Sequence, residues 1–228
     1  MNKKQSFIPA LNYKWLTPLY DPLIAFTIRE STFKRHLVQQ AAILDGHKVL
    51  DVGCGTATLT LLIKQTHTTA NVVGIDADPD ILDRARGKAK RSGLPILLDH
   101  GMSYQLPYAD GTFDRVLSSL VFHHLTRERK VETLKEIHRV LRPEGELHIA
   151  DWGKSSNRAM RAAFLLVQVL DGFETTTDNV NGLLPVLMEE AGFVGVEETK
   201  RFATVFGTLS LYRGRKNDEP RLLKDHKT

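Results

Sequence analysis

The chain has 228 residues and a mass of 25.7 kDa, with 42% hydrophobic and 25% charged residues; this composition fits one globular domain with insertions and excludes a disordered, collagenous or coiled-coil chain. Its single cysteine gives neither an intrachain disulfide nor a Cys/His spacing for zinc, and a domain of this size needs no such staple. The net charge of +4 sits at the ends: residues 1–4 and 213–228 carry eight of the 31 basic and three of the 27 acidic residues, which leaves 23 against 24 between them. That excludes a nucleic-acid footprint, which would be a basic face on the folded part.

At the N-terminus, MNKKQSFIPALNYKW starts basic, but Pro9, Asn12 and Lys14 break its apolar stretch, so no signal-peptide core forms. Residues 1–45 read as a helical N-terminal lid, with a helix from about Asp21 to Leu44 and Tyr13, Trp15 and Tyr20 ahead of it. Seven short apolar runs follow: 47–52, 71–76, 95–99, 113–120, 146–151, 194–199 and 203–211. Several are near-continuous, as expected of strands buried on both faces of a parallel sheet. Amphipathic stretches at 58–65, 79–91, 127–141 and 183–191 lie between them. This alternation predicts an α/β fold with a doubly wound sheet. Residues 46–151 form its core and 183–212 its C-terminal part, while 213–228 are expected to be a basic tail. Residues 152–182 fall outside the rhythm and contain an apolar helix candidate at 155–170. In an open α/β sheet ligands bind beyond the carboxyl ends of the strands, and an insertion after Asp151 emerges there, so 152–182 are expected to be a substrate lid.

The run VLDVGCGTATLT at 49–60 joins a strand to a helix through two glycines. Gly53 and Gly55 let the backbone turn and approach a ligand, and a side chain at 53 is expected to occupy the ligand's path. Asp76 ends the second strand 21 residues after Gly55, where a carboxylate can accept hydrogen bonds from ribose hydroxyls, so a nucleoside is implied. A dinucleotide site wants a small residue at 58, where Thr58 stands, and Asp51 would repel a pyrophosphate. Asp51 suits a ligand bearing an ammonium or sulfonium instead.

VLDVGCGT, the acid in GIDAD, LPYADGTFDRVLSSLVFHHL and LKEIHRVLRPEGELHIADWG together resemble successive motifs of the class I S-adenosylmethionine-dependent methyltransferases. The pattern is most similar to the small-molecule group that includes ubiquinone/menaquinone C-methyltransferases, and it covers about residues 45–212. The resemblance implies a Rossmann-like sheet of seven strands, mostly parallel with the last antiparallel. It implies S-adenosyl-L-methionine as cofactor and a small-molecule methyl acceptor, hydrophobic or a quinone, phenol or amine. It places Gly53, Gly55 and Thr56 around the methionine part, with Asp51 nearby, Asp76 and Ala77 at the ribose, Met102 and Ser103 beside the adenine, and Ser119 facing the methionine part. This chain departs from the family pattern at Ala57, for a frequent third glycine; at Met102, for an Asp that meets the adenine amino group; and at Glu144, for the first glycine of a turn before the fifth strand.

His123, His124 and Asp151 lie at the same edge as candidates for catalysis: an imidazole near neutrality can take a proton from an acceptor O–H, N–H or activated C–H, and either His can instead cap the next helix. Asp151 is a base, an orienting acid or a loop cap. Cys54, between the glycines, is either an activated thiol or a small buried filler. The 155–170 helix is a pocket wall, a membrane or subunit patch, or a buried lid helix. No metal is expected, because the fourth strand ends Ser118-Ser119 where metal-dependent catechol enzymes of this fold carry an Asp. The protein is expected to be cytoplasmic, without a transmembrane segment or a nucleic-acid partner, and a monomer or homodimer. A nicotinamide-dependent oxidoreductase and a non-catalytic binding protein on the same fold are the rival readings.

Overall fold

A computed structural model describes residues 30–217. Helix α1 (Glu30–Gln40) leads into β1 (Lys48–Val52), α2 (Thr58–Thr66), β2 (Asn71–Asp76), α3 (Pro79–Ser92), β3 (Leu97–His100) and β4 (Phe113–Ser119). A 3-10 turn (Phe122–His124) precedes α4 (Arg127–Val140), β5 (Leu141–Trp152), α5 (Arg158–Asp171), α6 (Phe173–Val180), α7 (Leu184–Glu190), β6 (Phe193–Thr204) and β7 (Gly207–Lys216). The seven strands form one sheet in the order β3-β2-β1-β4-β5-β7-β6. Strands β1 to β5 pair in parallel, and β7 runs antiparallel to both β5 and β6, so the expected seven-stranded sheet with its last strand reversed is present.

Strand alternation divides the core. Val49 of β1 and Leu117 of β4 face a cluster with Phe33 and Leu37 of α1, Leu59 and Ile63 of α2, and Phe164 and Val167 of α5. Leu50, Val52 and Val116 face a second cluster with Leu134 and Ile137 of α4 and Leu184 and Leu187 of α7. Helices cover both faces, which is why the central strands carry apolar residues at consecutive positions. Their ends follow local chemistry. Asp78 caps α3 by accepting from Asp80 N and Ile81 N, Pro79 opens it, and Gly93 closes it with φ 67°. Thr126 caps α4. Strand order reverses between β1 and β4, which makes the crevice beyond their carboxyl ends the expected ligand position.

Several boundaries differ from the sequence reading. The first helix ends at Gln40, and Ala42 has φ 43°; Tyr13, Trp15, Tyr20 and the expected helical start at Asp21 lie outside the described residues. Residues 152–182 hold two helices, because Gly172 with φ 99° breaks the run and α6 follows it. β7 continues to Lys216, so Arg213, Arg215 and Lys216 belong to the sheet and not to a tail. Arg213 pairs with Glu197 and Arg215 with Glu144, and Lys216 Nζ donates to the Leu141 carbonyl at 2.7 Å.

Glu144 explains a departure from the family pattern. It holds φ 62°, a left-handed conformation that costs a side chain about 1–2 kcal/mol, while the next residue, Gly145, has no room for one. A Cβ there would lie 2.8 Å from the Arg142 carbonyl oxygen and 3.0 Å from Leu141 Cδ2. Glu144→Gly should therefore leave stability unchanged or raise it by up to about 1 kcal/mol after loss of an exposed ion pair. Gly145→Ala should lower it by about 1–3 kcal/mol through overpacking. Urea denaturation of both variants checks this; shifts of the same sign would contradict the geometry.

Candidate active site

The loop between β1 and α2 turns through three left-handed residues: Gly53 at φ 69°, Gly55 at φ 53° and Ala57 at φ 60°. Gly53 N and Cys54 N both donate to the Ile75 carbonyl, at 2.9 and 3.0 Å, which ties the loop to the end of β2. Gly55 N donates to Asp76 Oδ2 at 2.8 Å, and Asp78 N to Asp76 Oδ1 at 3.0 Å. Loop and carboxylate are thus one preformed unit. Thr56 is exposed beside it. Gly101 N donates to the Asp76 carbonyl at 3.0 Å, and His100 Nε2 meets the Ala77 carbonyl at 3.1 Å, so Ala77 and the chain before Met102 adjoin the same carboxylate.

Two cofactor candidates have the form of an open cradle. A Cβ on Gly55 would meet nothing within 4 Å, and Ser119 Oγ is buried without a hydrogen-bond partner, an orphan of the kind a ligand satisfies. Others are engaged within the protein. A Cβ on Gly53 would lie 2.3 Å from Val121 Cγ2, so this glycine admits the segment after β4. Ser103 turns its hydroxyl to Thr133 of α4 at 2.9 Å. Cys54 is buried, and burial pushes its thiol well above the ordinary range, which makes it a filler. Ala57 occupies a conformation a glycine adopts freely, and it is fully buried.

Asp151 organises the other side. It is fully buried. Its Oδ2 accepts from Val121 N at 3.0 Å and Phe122 N at 2.8 Å. Its Oδ1 meets His123 Nδ1 at 2.8 Å and accepts from Trp152 N at 2.7 Å and Asn179 Nδ2 at 3.2 Å. The carboxylate is filled, and His123, on the 3-10 turn, is held by it. His124 packs on His123 with ring centroids 3.9 Å apart; burial, followed by the neighbouring His123, holds its pKa well below the usual imidazole range. The sequence reading missed Asn179, which sits on α6, a helix too polar to register as a periodic segment. Asn179 Nδ2 also donates to the Trp152 carbonyl at 3.2 Å. Beside it, Lys130, fully buried, donates to the Thr175 carbonyl at 2.6 Å and to Asp178 Oδ2 at 3.4 Å. Among the described residues no group of His, Cys, Asp or Glu is placed to hold a metal ion.

Asp51 lies inside β1, only 1% exposed, and accepts from Thr60 Oγ1 at 2.7 Å. Its charge therefore acts from beneath the loop and not by contact with open space. Burial raises its pKa to about 6, against the Thr60 hydrogen bond and the Lys34 charge, with Asp76 adding to the rise. The folded protein keeps this proton to higher pH than the unfolded chain, whose Asp titrates near ~3.9. Stability is thus lost as pH rises from about 4 to 6, and the loss is complete above that. Between pH 4 and 7 the wild type should lose about 2–3 kcal/mol relative to Asp51→Asn; a pH-independent difference in urea melts would remove the buried-charge effect.

Comparison with known proteins agrees with this geometry. Residues 49–145 match a family model described as a methyltransferase domain. The chain is 30% identical to an uncharacterized methyltransferase of Synechocystis sp. over 206 residues, covering 90% of this chain and 93% of that protein. It is 28% identical to a demethylmenaquinone methyltransferase of Symbiobacterium thermophilum, over 81% and 82% of the two chains. A solved SAM-dependent methyltransferase from Aquifex aeolicus has the same fold, with a TM-score of 0.64 at 19% identity over 92% of this chain and 99% of that one. The chain belongs to the class I S-adenosylmethionine-dependent methyltransferases, and S-adenosylmethionine is its cofactor.

Proposed function

We propose that this enzyme methylates a small, largely apolar acceptor carrying an acidic O–H, N–H or activated C–H, with His123 as the base and Asp151 as its positioning residue. The observation that carries the reading is the shared placement of His123 and the cofactor loop. The segment that presents His123 begins at Val121, which packs on Gly53, and Asp151 holds both Val121 N and His123 Nδ1. An Nδ1–H donated to the carboxylate fixes the tautomer and orientation of the ring. Asp151 itself, with five donors on two oxygens, orients and does not abstract. His124, kept neutral by burial, packs against His123.

Asp76 is assigned to the ribose, Gly53, Gly55, Thr56 and Ser119 to the methionine part, Asp51 to the electrostatics of the cationic end, and Ala77, Met102 and Ser103 to the adenine side. The bound cofactor supplies an electrophilic methyl on a sulfonium. The protein's part is to position the acceptor, exclude water and take its proton; positioning alone is worth about 7–11 kcal/mol. Residues 152–182 form the substrate wall, and α6 carries the polar contacts to Asp151. The name of the Symbiobacterium relative favours a quinol-like or phenolic acceptor over an amine.

Two variants separate binding from turnover. Asp76→Ala should weaken S-adenosylhomocysteine binding at least tenfold by calorimetry, since hydrogen bonds to a charged group are worth about 1.5–3 kcal/mol each. His123→Asn should bind S-adenosylhomocysteine within about twofold of wild type yet lower kcat by about 10²–10⁴ on whichever quinol or phenol of a panel the wild type methylates. Undiminished kcat in His123→Asn would overturn the base assignment, and unchanged affinity in Asp76→Ala would remove Asp76 from the cofactor site.

A further inference from the structure

Eight large hydrophobic residues are exposed among the described residues, and five of them gather in one region: Leu165 (44%), Leu166 (55%) and Val169 (68%) on α5, Phe173 (53%) just after it, and Val205 (65%) in the β6–β7 turn. The turn lies beside α5, since a Cβ on Gly207 would stand 2.9 Å from Phe164. At about 100° per residue, Arg158, Ala162, Leu165 and Val169 form one stripe along α5, and all four are exposed. The opposite face is anchored: Phe164 and Val167 are buried, and Phe164 packs edge-on against Trp152 with centroids 5.3 Å apart. A packed helix with a second, outward apolar stripe is not explained by the core.

The charges around the stripe say what it meets. Lys154 and Arg158 are exposed and make no ion pair among the described residues. Arg161 donates only to the neutral Gln168 Oε1, at 2.7 Å. The cations stand at the start of the helix, and its carboxylates come only at the far end, with Asp171 as its last residue and Glu174 after Phe173. Five side chains expose a few hundred Å², short of the ~800 Å² per partner of a standard protein interface, but enough to seat an amphipathic helix at a headgroup boundary with cations at the phosphates. No described helix is long and apolar enough to cross a membrane. We propose that the outer face of α5, with Phe173 and Val205, docks this protein on the surface of an anionic lipid bilayer.

The proposal does not rest on the catalytic reading, and the test uses the full-length protein without cofactor or acceptor. Sedimentation with vesicles of phosphatidylcholine containing about 30% phosphatidylglycerol should show binding that is weaker on pure phosphatidylcholine and weaker at high salt. Arg158→Gln should lower partitioning about fivefold, one membrane-proximal charge. The double variant Leu166→Glu, Val169→Glu should abolish it while keeping the wild-type melting transition and S-adenosylhomocysteine affinity, because both residues point away from the core. Binding that survives in the double variant would belong to the basic ends of the chain and would overturn the assignment. So would the absence of binding by the wild type, or a dimer in light scattering that Val169→Glu dissociates, which would make the face a subunit contact.

Discussion

A carboxylate with no access to water must be surrounded by donors, and meeting that requirement at Asp151 arranges the chain beyond β4, the end of β5 and helix α6. The five donors come from three separate places: the segment after β4, the end of β5 and helix α6. Trp152 ends β5, Asn179 sits on α6 and His123 on the 3-10 turn, while Val121 N and Phe122 N belong to irregular backbone beyond β4, without ladder partners. The carboxylate stands in for those partners. Removing it would strand three backbone N–H groups and the imidazole, at about 1–3 kcal/mol for each group left buried and unpaired, and would leave the Asn179 amide only the Trp152 carbonyl. A single side chain therefore couples the segment that packs on Gly53, the His123 imidazole and helix α6.

The cofactor half is built by a different constraint. Beyond β1 the chain must reverse into α2 while its amides bond the Ile75 carbonyl and the Asp76 carboxylate, which takes three positive-φ residues in five positions. Two are glycines, and the third, Ala57, has a side chain small enough to bury completely. The halves meet where Val121 fills the place a Cβ on Gly53 would take. Strand order reverses at this junction, the place where open α/β sheets bind their ligands.

The sheet was legible because its physics is local and repetitive. Adjacent apolar residues, Val49-Leu50 in β1 and Val116-Leu117 in β4, are a direct signature of burial on both faces, and Gly53 and Gly55 followed by Asp76 give a spacing that few other functions require. His123 and Asp151 were legible as positions at the catalytic edge, but their mutual hydrogen bond was not, since 28 residues separate them and their distance depends on a 3-10 turn. Helix α6 was not legible at all. Its buried residues are Thr175, Thr176, Asp178, Asn179 and, as the one apolar member, Val180, so a search for apolar periodicity passes over it as loop. Arg213, Arg215 and Lys216 were assigned to a tail for the converse reason: charge suggested solvent, whereas pairing with Glu197 and Glu144 and capping of the Leu141 carbonyl allow these side chains on the sheet.

The insertion between β5 and α7 inverts the usual rule of polar outside and apolar inside. α6 turns amides, hydroxyls and a carboxylate inward, and the buried Lys130 meets it there; burial lowers the pKa of this lysine while Asp178 and Asp151 oppose the shift. Such a pair adds little net stability against well-packed hydrophobic residues, yet losing one partner is severe, so it fixes an arrangement more than it strengthens one. α5, by contrast, turns leucine and valine outward. Both inversions follow if the insertion lies between two unlike surroundings, with a polar catalytic edge beneath it and an apolar phase outside. An acceptor soluble in that phase would then reach His123 by crossing one layer of helices, without passing through bulk water.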